Sequence, residues 1–318
     1  MTYGGIAKRL DADPERERHA LVAGLRRDPA AIAPRYFYDR LGCALYGAIC
    51  ELPEYYPPRT ERAIFVEHRA AITGAIGSGG QWVDLGAGDC RKAQDWFPFA
   101  SPARYIAVDV AEDLLADSLR RVADAFPALD VRGVVVDFTE GVDLEADLDP
   151  RPATFFYPGS SIGNFTPDDA RELLERVRMH CVTRPGSGLL IGVDTKKSAA
   201  RLVRAYADPT GVTAAFNRNV LNHVNRLIGS DFLPEAWAHV ALHDEARSRI
   251  EMHLEATSPQ VVSIGGSPRT FAAGERIHTE NAYKYAPSEF EALLRAAGYT
   301  RIRCWQDAHG DFAVFHAA

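Results

Sequence analysis

The chain is poor in the features that would give it an easy reading. It has five cysteines, at 43, 50, 90, 181 and 304, an odd number without a CxxC pair. That spacing supplies neither a disulfide framework nor a zinc cluster, and it fits reduced thiols. No apolar run reaches the 18 residues of a membrane span. No basic segment followed by an apolar stretch and a cleavage site opens the sequence, so a cytoplasmic protein is expected. Positive charge is not in excess either: 36 Lys and Arg stand against 43 Asp and Glu, a net −7. Nucleic-acid and anionic-membrane surfaces need clustered positive charge, so neither partner is expected. Internal repeats and low-complexity tracts are also missing.

What is there is a 318-residue chain with 47% apolar residues, enough for one large or two modest domains. The first part reads helical. Asp13-Pro14 marks one start, and a second helix runs from about Asp39 to Cys50 until the prolines of "ELPEYYPPR". A third helix is expected from Thr60 to about Ile72. From Gln81 strands and helices alternate: "QWVDLGAG", "RYIAVDV", "VRGVVVDF", "ATFFYPG" and "GLLIGVD", with helices beginning "AEDLL" and "TPDDA" between them. Strands apolar throughout mean a parallel sheet covered on both faces.

After Asp194 the texture changes. Residues 196–229 read as helix broken near Asp208-Pro209, and 236–285 as antiparallel strands. The tail then returns to the first pattern, with helix "SEFEALLRAAG" and the strand pair "TRIRCWQD" and "DFAVFHA". The fold class is therefore α/β: a Rossmann-like seven-stranded sheet with a second α+β domain. The boundaries expected are 59–195 with 286–318 for the sheet domain, and 1–58 with 196–285 for the other.

"DLGAGD" closes the first strand with glycines that let backbone amides approach a ligand. Asp109 ends the next strand, where a carboxylate accepts from ribose hydroxyls. Asp137 and Phe138 end the third, placed to offer an acceptor and an aromatic face to adenine. A dinucleotide fingerprint needs a third glycine at position 91, which is Arg91. S-adenosyl-L-methionine has ribose and adenine but no phosphate, and it fits what is present. "YPGSSIGNFTP" follows the fourth strand at the mouth of this site, and Asn164 there can bind a carboxylate or an amine. In "RIHTENAYKY" period 2 puts His278, Glu280, Ala282 and Lys284 on one face. That face reads either as a solvated edge or as a pocket wall in which Glu280 binds something.

"FYDRLG", "LPEYYPPRTE", "DLGAGDCRK", "GSSIGNFTP", "RLVRAYADPTGVTAAFNRNVLNHVNR", "IEMHL", "GERIHTE" and "GDFAVF" together resemble the histidine Nα-methyltransferases of ergothioneine biosynthesis, from about residue 20 to the end. The resemblance implies that Tyr38, Gly86, Lys92, Asp109, Asp137 and Phe138 touch the cofactor. It implies that Asn164 and Tyr206 hold the substrate carboxylate and that the Gly159 backbone helps place the amine. Tyr55 and Glu280 would face the imidazole, with Met252 lining the same pocket, and the second domain would serve as the substrate lid. In histidine enzymes of this family the position two after the glutamate is a serine, and here it is Ala282. A missing hydroxyl is worth about 0.5–1.5 kcal/mol, so tryptophan and tyrosine stand as alternative substrates.

The chemistry needs little else. An α-amino group near pH 7 gives up its proton for about 1–2 kcal/mol, so positioning rather than a strong base carries the rate. Tyr38 is the candidate to contact the amine. One site can then add up to three methyl groups, giving histidine betaine (hercynine). Tyrosines of "YFYD" and "EYYP" can face the resulting quaternary ammonium, although Tyr36 reads as core and Tyr56 as either. His278 and Lys284 read as solvated or structural. A small amino-acid substrate and a monomer are expected.

Overall fold

A computed structural model describes residues 3–8, 14–137 and 144–318. By internal packing the chain divides into two units: residues 1–10, 57–196 and 283–318 form one, and residues 11–56 and 197–282 the other.

The first unit is built on one eight-stranded sheet. Its order is Tyr3–Lys8, Asp130–Val135, Arg104–Asp109, Gln81–Leu85, Ala153–Tyr157, Gly188–Asp194, Phe312–Ala317 and Ile302–Gln306. The first six run parallel, and Phe312–Ala317 pairs antiparallel to both of its neighbours. The seven expected strands are all present. The eighth, Tyr3–Lys8, corrects the boundary that left residues 1–58 wholly outside the sheet domain: it pairs with Asp130–Val135 from Tyr3↔Val131 to Lys8↔Val135. Its sequence, YGGIAK, is too glycine-rich to show alternation.

Period 2 splits the central strands between two cores. Val83, Leu85, Ile106, Val108, Phe155, Leu189, Ile191 and Phe315 pack with Leu173, Leu174 and Val177 of the helix Pro167–Val182 and with Phe290 and Leu294 of the helix Pro287–Ala296. Trp82, Tyr105, Phe156, Leu190, Phe312 and Val314 face the other way. They meet Ile64 of the helix Pro57–Glu67, Ile72 of Arg69–Ile76, and Leu115, Leu119 and Val122 of Glu112–Ala125. Both faces are covered, which is why these strands read as continuous apolar runs. Thr166 caps Pro167–Val182 by accepting from the Asp169 amide at 3.2 Å. The single helix expected over Thr60–Ile72 is two helices, the first starting at Pro57, because proline is at home in a first turn.

The second unit has its own core. Helices Pro14–Arg26, Arg40–Glu51, Ala199–Tyr206 and Val212–Ile228 accompany a four-stranded sheet ordered Ala30–Ala31, Arg276–Tyr283, Arg249–Ala256 and Trp237–Asp244. A separate hairpin joins Gln260–Ile264 to Ser267–Phe271. Asp39 caps Arg40–Glu51 through the Gly42 amide at 2.7 Å, while Asn219 donates to the same carboxylate oxygen at 2.8 Å. The break at Asp208 is itself a cap, since its carboxylate accepts from the Val212 and Thr213 amides at 3.1 and 2.8 Å.

Candidate active site

In the first unit the strand order reverses at Gln81–Leu85: one neighbour is the strand that follows it in the chain, the other a strand three steps further on. Ligands of such sheets bind beyond the carboxyl ends of the strands at this switch point. Gly86 and Gly88 turn the chain there with φ of 70° and 52°, a region where only glycine is unstrained. Asp109 locks the turn. Its Oδ2 accepts from the Gly88 amide at 2.8 Å and its Oδ1 from the Ala111 amide at 2.9 Å. Burial raises its pKa, and the Ala111, Gly88 and Val110 N–H groups pull the other way. A carboxylate has about four lone-pair sites, so acceptor capacity is left for a ribose diol. Asp137 lies two residues past the end of the strand Asp130–Val135 rather than on it, and is buried; burial of Tyr157, together with the Asp137 charge, raises the pKa of Tyr157. Phe138 lies outside the described residues.

Beneath the turn sits a residue that sequence reasoning passed over. Asp84 is buried and accepts from the Tyr105 hydroxyl at 2.8 Å. Burial, with Asp109 nearby, pushes its carboxyl up to about 7 despite that hydrogen bond. Cys90 beside it is pushed up to about 12 by burial, so its thiol is inert at neutral pH.

The loop after Ala153–Tyr157 carries Gly159, with φ 80°, and ends in the single turn Ser161–Asn164, which leaves Asn164 half-buried. Glu61 holds this loop. Its Oε1 accepts from the Gly159 amide at 2.7 Å, and its Oε2 pairs with Lys92 Nζ at 2.7 Å. Lys92, expected on the cofactor, is thus engaged by a carboxylate in this structure. Asp194 adds a second restraint, its amide donating to Ser160 Oγ at 2.8 Å. Lys284 is not solvated. It forms a fully buried ion pair with Asp194 at 2.7 Å.

In the second unit Tyr55, Tyr206, Met252 and Ala282 share one buried core, with Tyr38 packed against it. The Tyr55 and Tyr206 rings meet edge to face, centroids 5.9 Å apart. Tyr38 lies in the same way against Tyr46 at 6.0 Å and Phe216 at 6.2 Å. Burial, then the neighbouring Tyr206, Cys50, Glu280 and Tyr38, raises the pKa of Tyr55, so its phenol stays neutral. Tyr55 is itself the largest influence raising Tyr46. Glu280 is only 8% exposed. The strand face that carries Glu280 and Ala282 is therefore a buried wall and not a solvated edge. A carboxylate in such surroundings needs N–H or O–H donors.

The backbone of Tyr206 is fixed as well. His239 Nε2 lies 2.7 Å from its carbonyl, while Asn217 Nδ2 is 2.8 Å from His239 Nδ1. Burial lowers the pKa of His239, and a neutral ring with its proton on Nε2 satisfies both contacts. Tyr36 is core filling. Tyr56 is buried under Lys197 and Arg201, 4.7 and 4.9 Å from its ring centroid, so this face already carries cations. His278 is half-buried, with Nε2 2.9 Å from Asn281 Oδ1. Among the described residues no cluster could hold a metal ion, and no helix is long and apolar enough to cross a membrane.

Glu61, Asp84 and the Lys284–Asp194 pair are the polar groups the sequence did not disclose. Of the three charges in "PPRTERAIF", Glu61 is the one that shares a helix face with the buried Pro57 and Ile64, the signal that could have found it.

A family described as histidine-specific, SAM-dependent methyltransferases matches residues 17–318. A histidine N-alpha-methyltransferase of Mycobacterium tuberculosis is 38% identical over 307 residues, 95% of this chain and 94% of that one. Its counterpart in Mycolicibacterium smegmatis is 37% identical, covering 97% of each chain. Ergothioneine biosynthesis protein 1 of Neurospora crassa is 29% identical over 87% of this chain and 32% of its own length.

Proposed function

The chain belongs to the S-adenosylmethionine-dependent, histidine-specific methyltransferase family, and we propose that it methylates the α-amino group of L-histidine up to three times, yielding histidine betaine for ergothioneine biosynthesis. Bound at the strand ends, S-adenosylmethionine supplies an electrophilic methyl group on a sulfonium. Asp109 accepts from its ribose, the Gly86–Gly88 turn brings backbone against it, and Asp137 accepts from the adenine amine. Phe138 and Lys92 complete the cofactor set, and Tyr38 serves both cofactor and amine.

Asn164 and Tyr206 hold the substrate carboxylate. Glu280 accepts from the imidazole N–H, Tyr55 borders it and Met252 lines its flank. The Gly159 N–H is taken by Glu61, so the carbonyl is the group left to accept a hydrogen bond from the amine. Residues 197–282 and the early helices thus serve as the substrate-binding domain.

The observation that carries this reading is the buried Glu280 near the neutral phenol of Tyr55, whose ring meets that of Tyr206. A second reading, the same reaction on tryptophan or tyrosine, is favoured by Ala282, which sits buried where histidine enzymes carry a serine hydroxyl. Calorimetry with S-adenosylhomocysteine, followed by histidine, tryptophan and tyrosine in turn, tests both. Mass spectrometry of the products counts the methyl groups. Binding of NAD with no response to S-adenosylhomocysteine would remove the methyltransfer assignment.

A further inference from the structure

Glu61 is given no contact with either ligand above, yet it is among the most deeply buried charges of the first unit. It points inward from the helix Pro57–Glu67 and is 1% exposed. A carboxylate so placed costs several kcal/mol unless it is fully engaged. Both of its oxygens are engaged, each at 2.7 Å, and by two different loops. Lys92 belongs to the segment after the glycine turn, and Gly159 to the loop after the adjacent strand. The sheet makes room for it. A Cβ built on Gly192, in the strand Gly188–Asp194, would stand 2.0 Å from Glu61 Oε1 and 2.9 Å from the Phe312 ring. Any side chain at 192 would evict the carboxylate.

We propose that Glu61 is a positioning residue for methyl transfer, fixing the Gly159 carbonyl toward the acceptor amine while tying that loop to the cofactor loop through Lys92. By occupying the Gly159 N–H, Glu61 leaves this backbone unit only as an acceptor. That sorts the reaction by step. A primary or secondary amine still has an N–H to give the carbonyl. Neutral N,N-dimethylhistidine has none, so its methylation gains nothing from the contact. The inference rests on the substrate roles given to Gly159 and histidine.

The test compares wild type, Glu61→Gln, Glu61→Ala and Gly192→Ala, with histidine and N,N-dimethylhistidine as separate substrates and S-adenosylhomocysteine affinity as control. Glu61→Gln is isosteric and keeps an acceptor for Gly159, which guards against mere misfolding. Glu61→Ala and Gly192→Ala should lower kcat on histidine by about 10- to 100-fold, the scale of one lost charge-assisted hydrogen bond. Their effect on N,N-dimethylhistidine should stay under about fivefold, with Glu61→Gln recovering part of the histidine rate. Equal losses on both substrates, or no loss, in a wild type that methylates histidine overturn the role of Glu61 alone. A wild type that methylates none of the amino acids overturns the function assigned above and this inference together.

Discussion

Lys284 Nζ lies 2.7 Å from Asp194 Oδ2, and both side chains are almost wholly removed from water. The pair stands where the last parallel strand ends, and the Asp194 amide also grips Ser160 of the loop that carries Gly159. Removing one partner strands the other charge in the interior. Lys284→Met should therefore cost about 3–5 kcal/mol, whereas Lys284→Met with Asp194→Leu should recover most of that loss. Urea denaturation of the single and double variants measures both. Equal stability of the single variant and the wild type would show that the pair is dispensable.

Asp84 links stability to pH. Its carboxyl titrates near 3.8 when free and near 7 in the folded protein. Between those values the folded state holds the extra proton, so stability from this group falls as pH rises through that window. Asp84→Asn leaves an oxygen for the Tyr105 hydroxyl and removes the titration. The melting temperature of the variant relative to wild type should climb from pH 5 to pH 7 and level off above. A difference that is constant with pH would contradict the assignment.

Asp109→Ala should act on the cofactor. With the carboxylate gone, the ribose loses its acceptor and the Gly88 and Ala111 amides lose theirs. S-adenosylhomocysteine affinity should fall by about 10- to 100-fold at the usual value of a charged hydrogen bond. Calorimetry on the folded variant checks this, and unchanged affinity would move the ribose elsewhere.

Glu280→Ala should do the converse, weakening the aromatic amino acid at least tenfold with cofactor affinity nearly unchanged. Parallel loss of both ligands would mark Glu280 as structural. Ala282→Ser restores a hydroxyl beside it. If histidine is the substrate, this change should tighten histidine by up to about tenfold, while a tryptophan- or tyrosine-specific pocket would gain nothing for its own ligand.

The parts legible from sequence are those that follow from local periodicity and capping. Val83 and Trp82 had to face opposite cores, and Thr166-Pro167 had to start a helix. What stayed hidden depends on partners distant in the chain. A glutamate in "RTERA" reads as solvated until Gly192, 131 positions away, is seen to leave space for it. Lys284 looks like an outward charge on a strand because period 2 cannot reveal that Asp194 waits at its end. Within 236–285 the pairing of Ser267–Phe271 with Gln260–Ile264 was not legible, because its serine, proline and arginine break the pattern of a core strand. Glu280 was legible as a question. Its burial decided between wall and edge.

The strand Tyr3–Lys8 also bears on how this protein behaves in concentrated solution. Without it, Asp130–Val135 would be the rim of the sheet and would offer a ladder of vacant amides and carbonyls to a neighbouring molecule. The six-residue strip satisfies that rim and substitutes a short, glycine-kinked border whose register shifts between Tyr3 and Ile6. Such an irregular margin is a poor template for strand-to-strand aggregation.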